Sequence, residues 1–528
     1  MDRGANTRTE LKMTILNWIP SVITIATAST FKQQCESWDP TLHVANATLR
    51  LQEHIAANTT ILLSGMDSSC NRQSQAIPVA ACRIALTVVT SNRSSFIYEH
   101  FFPEPQIWSG RLLATGNGGI DGCIKYEDIA YGLQNGFTVT GTNNGHNGTG
   151  GEAFLNNPDA ISDFSWRAIH RASEVAKVLA GAFYGRSPAK SYYIGCSGGG
   201  RQGIQAANLF PHDFDGILVG CPGLNFNYMS AWRASFYTYT GAANSPGFIS
   251  ASMWENLIHE EVLKQCDRLD GVRDGILVDP ALCAGVFVPE KLLCKRDNGT
   301  ECLTPQQVDV VRKVFSPLYG DQNQLIYPPL ALGAEVQATQ RLLSGTPFSY
   351  SVDWYRYAVY ANSTWDPASW NVRDATVAEE LNPGNSRTWP SDLSPFRDSG
   401  GKMLIYHGGS DQQITHLDTE RWYNYLSRGM DATSDALDEF LRFFRIPGMG
   451  HCSGGKGAWQ IGQSDGGAKD RPYNPENNVL AALVDWVELG RAPDTITGTK
   501  FVSNSASKGI ELQRRHCRLV DIPSRNLD

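Results

Sequence analysis

Apolar positions recur at helical spacing at Trp166, Ile169, Ala172, Ala176, Leu179 and Phe183, and the run ends near Gly185. A short apolar strand, Ser191 to Gly195, follows, then a glycine-rich turn, a helix from about Gly199 to Leu209 and a second strand from Asp215 to Gly220. The same texture returns late in the chain. It predicts strands at Lys402–His407 and Phe440–Ile446 and a helix with a thin apolar stripe at Leu417–Leu426. A strongly apolar helix at Val479–Leu489 is closed by Gly490, with Pro493 just beyond. Helices alternating with short apolar strands predict an α/β fold, a parallel sheet covered on both faces.

Between these blocks, over 227–392, the alternation fades. Aromatics, Pro and Asn are scattered there, and four of the twelve cysteines fall within 266–302. This reads as an insertion that interrupts the sheet, with 29–226 and 393–528 forming the main domain. A lid over a site at the sheet edge is its natural role.

The length of 528 residues and the 41% hydrophobic content supply a large core. A net charge of -8 without a Lys/Arg run argues against nucleic acid and anionic membranes as partners. Twelve cysteines with no CxxC spacing argue for a disulfide framework made in an oxidising compartment. The N-terminus agrees: Met13 to Ala28 are mostly apolar, Ala26-Thr27-Ala28 has the form of a cleavage site, and 1–28 reads as a secretory signal. A membrane anchor is the alternative. The stretch falls short of the roughly 20 residues a span requires and contains Asn17 and Pro20. Sequons at Asn46, Asn58, Asn92, Asn147, Asn298 and Asn362 are compatible with secretion.

The strongest local motif is Gly195-Cys196-Ser197-Gly198-Gly199, a G-x-S-x-G between a strand and a helix. A serine on such a tight turn exposes its hydroxyl at the carboxyl edge of the sheet and needs small neighbours. An idle serine in a glycine-rich turn is the plainer reading, which the flanking strand and helix disfavour. A nucleophilic serine requires a base and an orienting carboxylate. Asp411, in Gly408-Gly409-Ser410-Asp411, and His451, in Pro447-Gly448-Met449-Gly450-His451, each follow a predicted strand in the required order. His407 belongs to the strand itself, and His416 and Asp418 fall at the start of the next helix, where capping, solvated or packed roles are expected. The oxyanion hole is assigned to the N–H of Gly198 and to the loop Thr115-Gly116-Asn117-Gly118-Gly119, with Gly118 and Gly119 as its donors. A simple turn is the alternative there. Cys196 precedes the serine and Cys452 follows the histidine, so an assembled triad would bring the two cysteines within bridging reach.

With its Cys-Ser, Asp and His-Cys elements, Gly116-Asn117-Gly118-Gly119 and the run from Cys266 to Ile276, the sequence resembles the tannase and feruloyl esterase family. The resemblance implies an α/β-hydrolase fold with a large inserted lid and hydrolysis of phenolic-acid esters without an organic cofactor. The substrate would be a phenolic ester on plant polysaccharide, with feruloyl esters favoured by chain length and galloyl esters (a tannase) as the alternative. Asp267, Asp270 and Asp274 also read independently as hard oxygen donors for calcium, against the plainer reading of an acidic loop. The resemblance adds the carbonyls of Val272 and Ile276 to that shell. It further implies the bridges Cys35–Cys82, Cys70–Cys123, Cys266–Cys283 and Cys294–Cys302. Cys221 and Cys517 then either pair with each other or leave one free. Lys295-Arg296, a dibasic pair of the kind processed in tannases, lies inside the last expected cystine loop. Two other classes compete: a non-catalytic glycan- or wall-binding protein on a hydrolase fold, and a secreted serine carboxypeptidase. The first has no need of all three triad positions; the second is disfavoured by the cystine beside Ser197 and the calcium-like loop.

Overall fold

The computed structural model describes residues 30–295 and 302–519; the expected signal segment 1–28, the Asn298 sequon and Arg296 of the dibasic pair lie outside the described residues. The main sheet contains nine strands: β1 (Ala47–Ile55), β2 (Ala81–Val89), β3 (Ser95–Pro103), β4 (Arg111–Thr115), β5 (Phe137–Thr142), β6 (Lys190–Cys196), β7 (Gly216–Gly220), β8 (Lys402–Gly408) and β9 (Leu441–Ile446). Their spatial order is β1-β2-β3-β5-β4-β6-β7-β8-β9. The pairs from β1 to β5 are antiparallel, and all pairs from β5 through β9 are parallel. The parallel part was anticipated from the α/β alternation. The antiparallel part, over 47–103, was not read from the sequence; its strands carry charged and polar residues such as Arg83, Glu99 and His100 that blur the apolar period.

Successive side chains of a strand face opposite sides of the sheet, and here the alternation sorts them into two cores. Ile217, Val219, Met403, Ile405, Leu441 and Phe443 pack with Ile204 and Ala207 of α3 (Gly198–Leu209) and with Trp422 and Leu426 of α5 (His416–Gly429). Leu218, Leu404, Tyr406 and Phe444 point the other way. They pack with Ile129 and Leu133 of α1 (Tyr126–Gln134) and with Leu480, Leu483 and Trp486 of α6 (Val479–Leu489). A third core joins Ala172, Ala176, Leu179 and Phe183 of α2 (Ala168–Tyr184) to Leu112, Tyr98 and Phe102. Helices α2 and α6 end where expected, with Gly185 and Gly490 in left-handed conformation at φ 68° and 71°.

Residues 221–401 lie between the adjacent strands β7 and β8. They open with α4 (Phe226–Thr240) and pack around Trp232, Phe236, Trp254, Val311 and Trp354 in a core that continues into Ile120, Phe154 and Phe164 of the main domain. Two helices there contain π-type turns, at Trp254–Ile258 and Trp354–Val359. Five disulfides are present: Cys35–Cys82, Cys70–Cys123, Cys196–Cys452, Cys266–Cys283 and Cys294–Cys302. The expected alternatives for the last two cysteines are corrected: both are free. Cys221 is buried behind the site, whereas Cys517 is exposed at the end of a C-terminal hairpin. The five described sequon asparagines are exposed. No helix of the described residues is long and apolar enough to cross a membrane.

Candidate active site

Each parallel strand from β4 to β9 except β5 delivers a site element at its carboxyl end, the edge where open α/β sheets collect ligands. Ser197 follows β6 with φ 63° and ψ -118°, a strained conformation for a residue with a Cβ. The strain is held by the surroundings: the Ser197 N–H donates to the Gly220 carbonyl at 2.9 Å, and helix α3 starts at the next residue. Asp411 sits in the turn after β8 and His451 in the loop after β9. His451 Nε2 lies 2.9 Å from Ser197 Oγ, and its Nδ1 lies 2.8 Å from Asp411 Oδ2. Three residues far apart in the chain thus form the hydrogen-bonded order that a serine nucleophile requires.

Asp411 is fully buried, yet its carboxylate is well satisfied. Oδ1 accepts from the N–H groups of Gln413 and Ile414 at 2.8 and 2.9 Å. Burial alone would push its carboxyl up; the His451 charge and hydrogen bonds from His407 and His451 outweigh this and hold it well below the usual carboxylate range. The His451 backbone is pinned by Gln412, whose Oε1 accepts its N–H at 3.0 Å.

The Cys196–Cys452 bridge forms with a Cα separation of 6.0 Å, tying the nucleophile's strand to the histidine's loop. Behind it lies Cys221, immediately after β7, with its Sγ 3.4 Å from the Cys452 N–H. Burial and the neighbouring Asp411 charge push its thiol well above the ordinary cysteine range, so it stays protonated and unreactive. The sequence offered no indication of this position.

The oxyanion loop packs directly on the nucleophile turn. A Cβ on Gly198 would come within 2.6 Å of the Gly119 carbonyl, so glycine is required there. As the first residue of α3, Gly198 has an N–H with no partner inside its helix. The expectation of two donors from the loop is narrowed. The Gly118 N–H already donates to Asp121 Oδ1 at 3.2 Å, whereas the Gly119 N–H lies next to Gly198. Asp121 was overlooked because a carboxylate three residues on reads simply as polar loop.

The other sequence candidates fall where they were placed, but with different surroundings. His407 is in β8, and His416 and Asp418 open α5; all three are buried, so the packed role holds and the solvated one does not. Burial raises the Asp418 carboxyl to about 7, against the pull of Arg421.

Three side chains of the 221–401 segment reach the site, and none was named from sequence. Arg233 of α4 donates to the Gln413 carbonyl at 2.9 Å, clasping the Asp411 turn. Its guanidinium lies 4.8 Å from the Phe348 ring centre, and burial lowers it to about 10, leaving it charged at neutral pH. Gln337 lies against Gly450, beside His451. Tyr350 lies on Gly119, where an added Cβ would come within 2.6 Å of the ring.

The expected cation loop is remote from the triad in sequence and closes on itself. Asp267 accepts from the Gly275 N–H at 2.9 Å, Asp270 from Val272 and Val278 at 3.0 and 3.2 Å, and Asp274 from Ile276 at 3.0 Å. Asp274 also pairs with Arg514 at 3.2 Å. Among the described residues, the three aspartates are not one of the sets whose ligand atoms all lie within 4.8 Å of one another. Carbonyl oxygens would have to complete any shell. A closed loop of carboxylates and carbonyls fits a hard cation such as calcium better than a soft metal.

Comparison with known proteins places the chain in a family. Residues 82–328 and 355–526 match the family described as "Tannase and feruloyl esterase". The chain is 51% identical over 499 residues to the "Probable feruloyl esterase B-2" of Aspergillus flavus, covering 94% of this chain and 95% of that protein. Two crystal structures from Aspergillus oryzae superpose closely. One is of an esterase, with a TM-score of 0.89 and 44% identity, covering 93% of this chain and 96% of the other. The second is of feruloyl esterase B, with a TM-score of 0.88, 41% identity and the same coverage of 93% and 96%. The mixed sheet flanked by helices is of the α/β-hydrolase kind. With its serine, histidine and aspartate in hydrogen-bonded order at the edge of that sheet, the chain belongs to the tannase and feruloyl esterase family.

Proposed function

We propose that this chain is a secreted feruloyl esterase that releases ferulic and related hydroxycinnamic acids from esters on plant cell-wall polysaccharide. The observation that carries the reading is the Ser197–His451–Asp411 chain of 2.9 and 2.8 Å contacts within a member of this family. His451 Nε2 takes the proton of Ser197 Oγ as the oxygen attacks the ester carbonyl. The negative charge that develops on the carbonyl oxygen is met by the N–H groups of Gly198 and Gly119. His451 then protonates the departing alcohol oxygen, leaving a feruloyl group on Ser197. In the second half His451 activates a water that attacks this acyl group, and the proton returns to Ser197 Oγ as the acid leaves. Asp411 holds the ring in the required tautomer and stabilises its cationic form in both halves.

The 221–401 segment acts as a lid, with Tyr350 offering the aromatic acyl group a flat wall beside Gly119. Secretion is supported by the five disulfides and by the apolar N-terminal stretch. A structural calcium ion held by Asp267, Asp270 and Asp274 and the carbonyls of Val272 and Ile276 belongs to the same proposal; bound there, it would cross-link the loop and take no part in the chemistry.

Hydrolysis of methyl ferulate and methyl gallate measured side by side, with Ser197→Ala as control, tests the reading. Preference for ferulate that is lost in the variant is expected. Preference for gallate would replace feruloyl by galloyl specificity, and hydrolysis that survives the substitution would overturn the proposed nucleophile.

A further inference from the structure

Asp411 must keep one oxygen aimed at His451 while the charge on that ring appears and disappears. Its Oδ1 is fixed by two backbone N–H groups. Its Oδ2, the oxygen that receives His451, has a second neighbour: Nε2 of His407, at 3.2 Å. That nitrogen also lies 2.9 Å from the Ile414 carbonyl. A carbonyl only accepts, so Nε2 carries a hydrogen and donates it to the Ile414 carbonyl, with Asp411 Oδ2 as its second, longer contact. The other ring nitrogen, Nδ1, is 2.9 Å from the Thr419 hydroxyl. His407 is fully buried in β8, so the ring is fixed by strand packing, by α5 through Thr419 and by the Asp411 turn through Ile414. The titratable groups around it are Asp411, the Cys221 thiol, whose Sγ lies within 4.8 Å of ligand atoms of both His407 and Asp411, the His416 ring with its centre 6.3 Å away, and Glu420 of α5.

We infer that His407 is a positioning residue for the proposed reaction: its Nε2–H fixes the Asp411 oxygen that orients His451. The inference rests on the triad reading above and adds a second histidine to it. Without this donor, the carboxylate loses one of the contacts that define its plane. Hydrogen bonds to buried charges are among the strongest a protein makes, because the lost partner is not replaced by water. A role confined to stabilising the strand would require only a polar, well-packed side chain at this position.

The test compares His407→Gln, His407→Asn and His407→Leu with wild type and Ser197→Ala on methyl ferulate, with thermal melts to establish folding. A glutamine amide nitrogen reaches as far as imidazole Nε2 and can donate to Asp411. An asparagine amide ends near the position of Nδ1 and cannot. The Asn and Leu variants are expected to lose roughly tenfold to hundredfold in kcat, the range of one hydrogen bond to a charge, with KM nearly unchanged. Gln is expected to recover most of that loss. Equal impairment of Gln and Asn would overturn the inference, as would wild-type kcat in Asn or a loss expressed in KM. If Leu does not fold, the Gln and Asn pair decides alone. Wild-type hydrolysis by Ser197→Ala would instead overturn the triad reading, a result separate from any ranking of the His407 variants.

Discussion

The carboxyl edge of the sheet and the 221–401 segment meet at one site but are built by different means. At the sheet edge, each functional group is set by the turn after a parallel strand: Ser197 after β6, Asp411 after β8 and His451 after β9. Their positions follow from backbone geometry and a disulfide. The inserted segment contributes through side chains that reach across from its helices, as Arg233, Gln337 and Tyr350 do. The difference teaches a division of labour. On the proposed reading the sheet edge carries the bond-making groups, while the insertion clamps the Asp411 turn through Arg233 and faces the substrate. Substitutions at the edge should therefore appear in kcat, and substitutions in the insertion in KM or stability.

The largest effect is expected at the nucleophile. Ser197→Ala should lower kcat on methyl ferulate by about 10⁴- to 10⁶-fold without altering the melting temperature appreciably. Asp411→Asn should follow, with a loss of about 10⁴-fold, because the amide no longer selects the ring tautomer that takes the serine proton. Activity above one-tenth of wild type in either variant would break the assignment of chemistry to the edge. Removing the bridge with Cys196→Ser and Cys452→Ser should reduce stability by about 2–5 kcal/mol and lower kcat, since the nucleophile's strand and the histidine's loop are then held only by packing. Unchanged kcat and unfolding in that double variant would mean that the bridge positions nothing.

The smaller effects sharpen the insertion's side of the comparison. Tyr350→Ala should raise KM for methyl ferulate by about two- to tenfold, the worth of one aromatic contact, with kcat nearly constant. A fall in kcat alone would move Tyr350 from substrate binding to support of the Gly119 donor. Least of all, Asp267→Ala or treatment with a calcium chelator should lower the melting temperature by a few degrees and leave kcat/KM at the new temperature optimum unchanged. A stability that responds to neither would remove calcium from the account.

What could be read from the sequence follows the same division. Helix α6 and its Gly490 cap, the turn at Ser197 and the strands ending near Asp411 and His451 were legible because each has a local period or a backbone requirement. The antiparallel strands β1 to β3 were not, since buried polar groups such as Arg83 with Glu99 interrupt their alternation. His407 was correctly assigned to its strand, but its contact with Asp411 depends on a turn that brings residue 411 back toward residue 407. The bond from Gly118 to Asp121 was hidden for a comparable reason: two glycines in one loop look equivalent until a neighbouring side chain occupies one N–H. Cys221 and Cys517 could be paired by counting alone, and only their positions at opposite kinds of site, buried core and exposed hairpin, separate them. Arg233, Gln337 and Tyr350 left no local trace, because a residue that acts across an interface is defined by what it meets.

The central claim is that one serine carries the chemistry, and covalent labelling tests it most directly. The protein would be treated with a fluorophosphonate, residual methyl ferulate hydrolysis followed, and the modified residue located by peptide mass mapping. The account predicts a single label on Ser197, with activity lost in proportion to its occupancy. Full activity in protein labelled completely at Ser197, or inactivation that tracks a label on another residue, would contradict it.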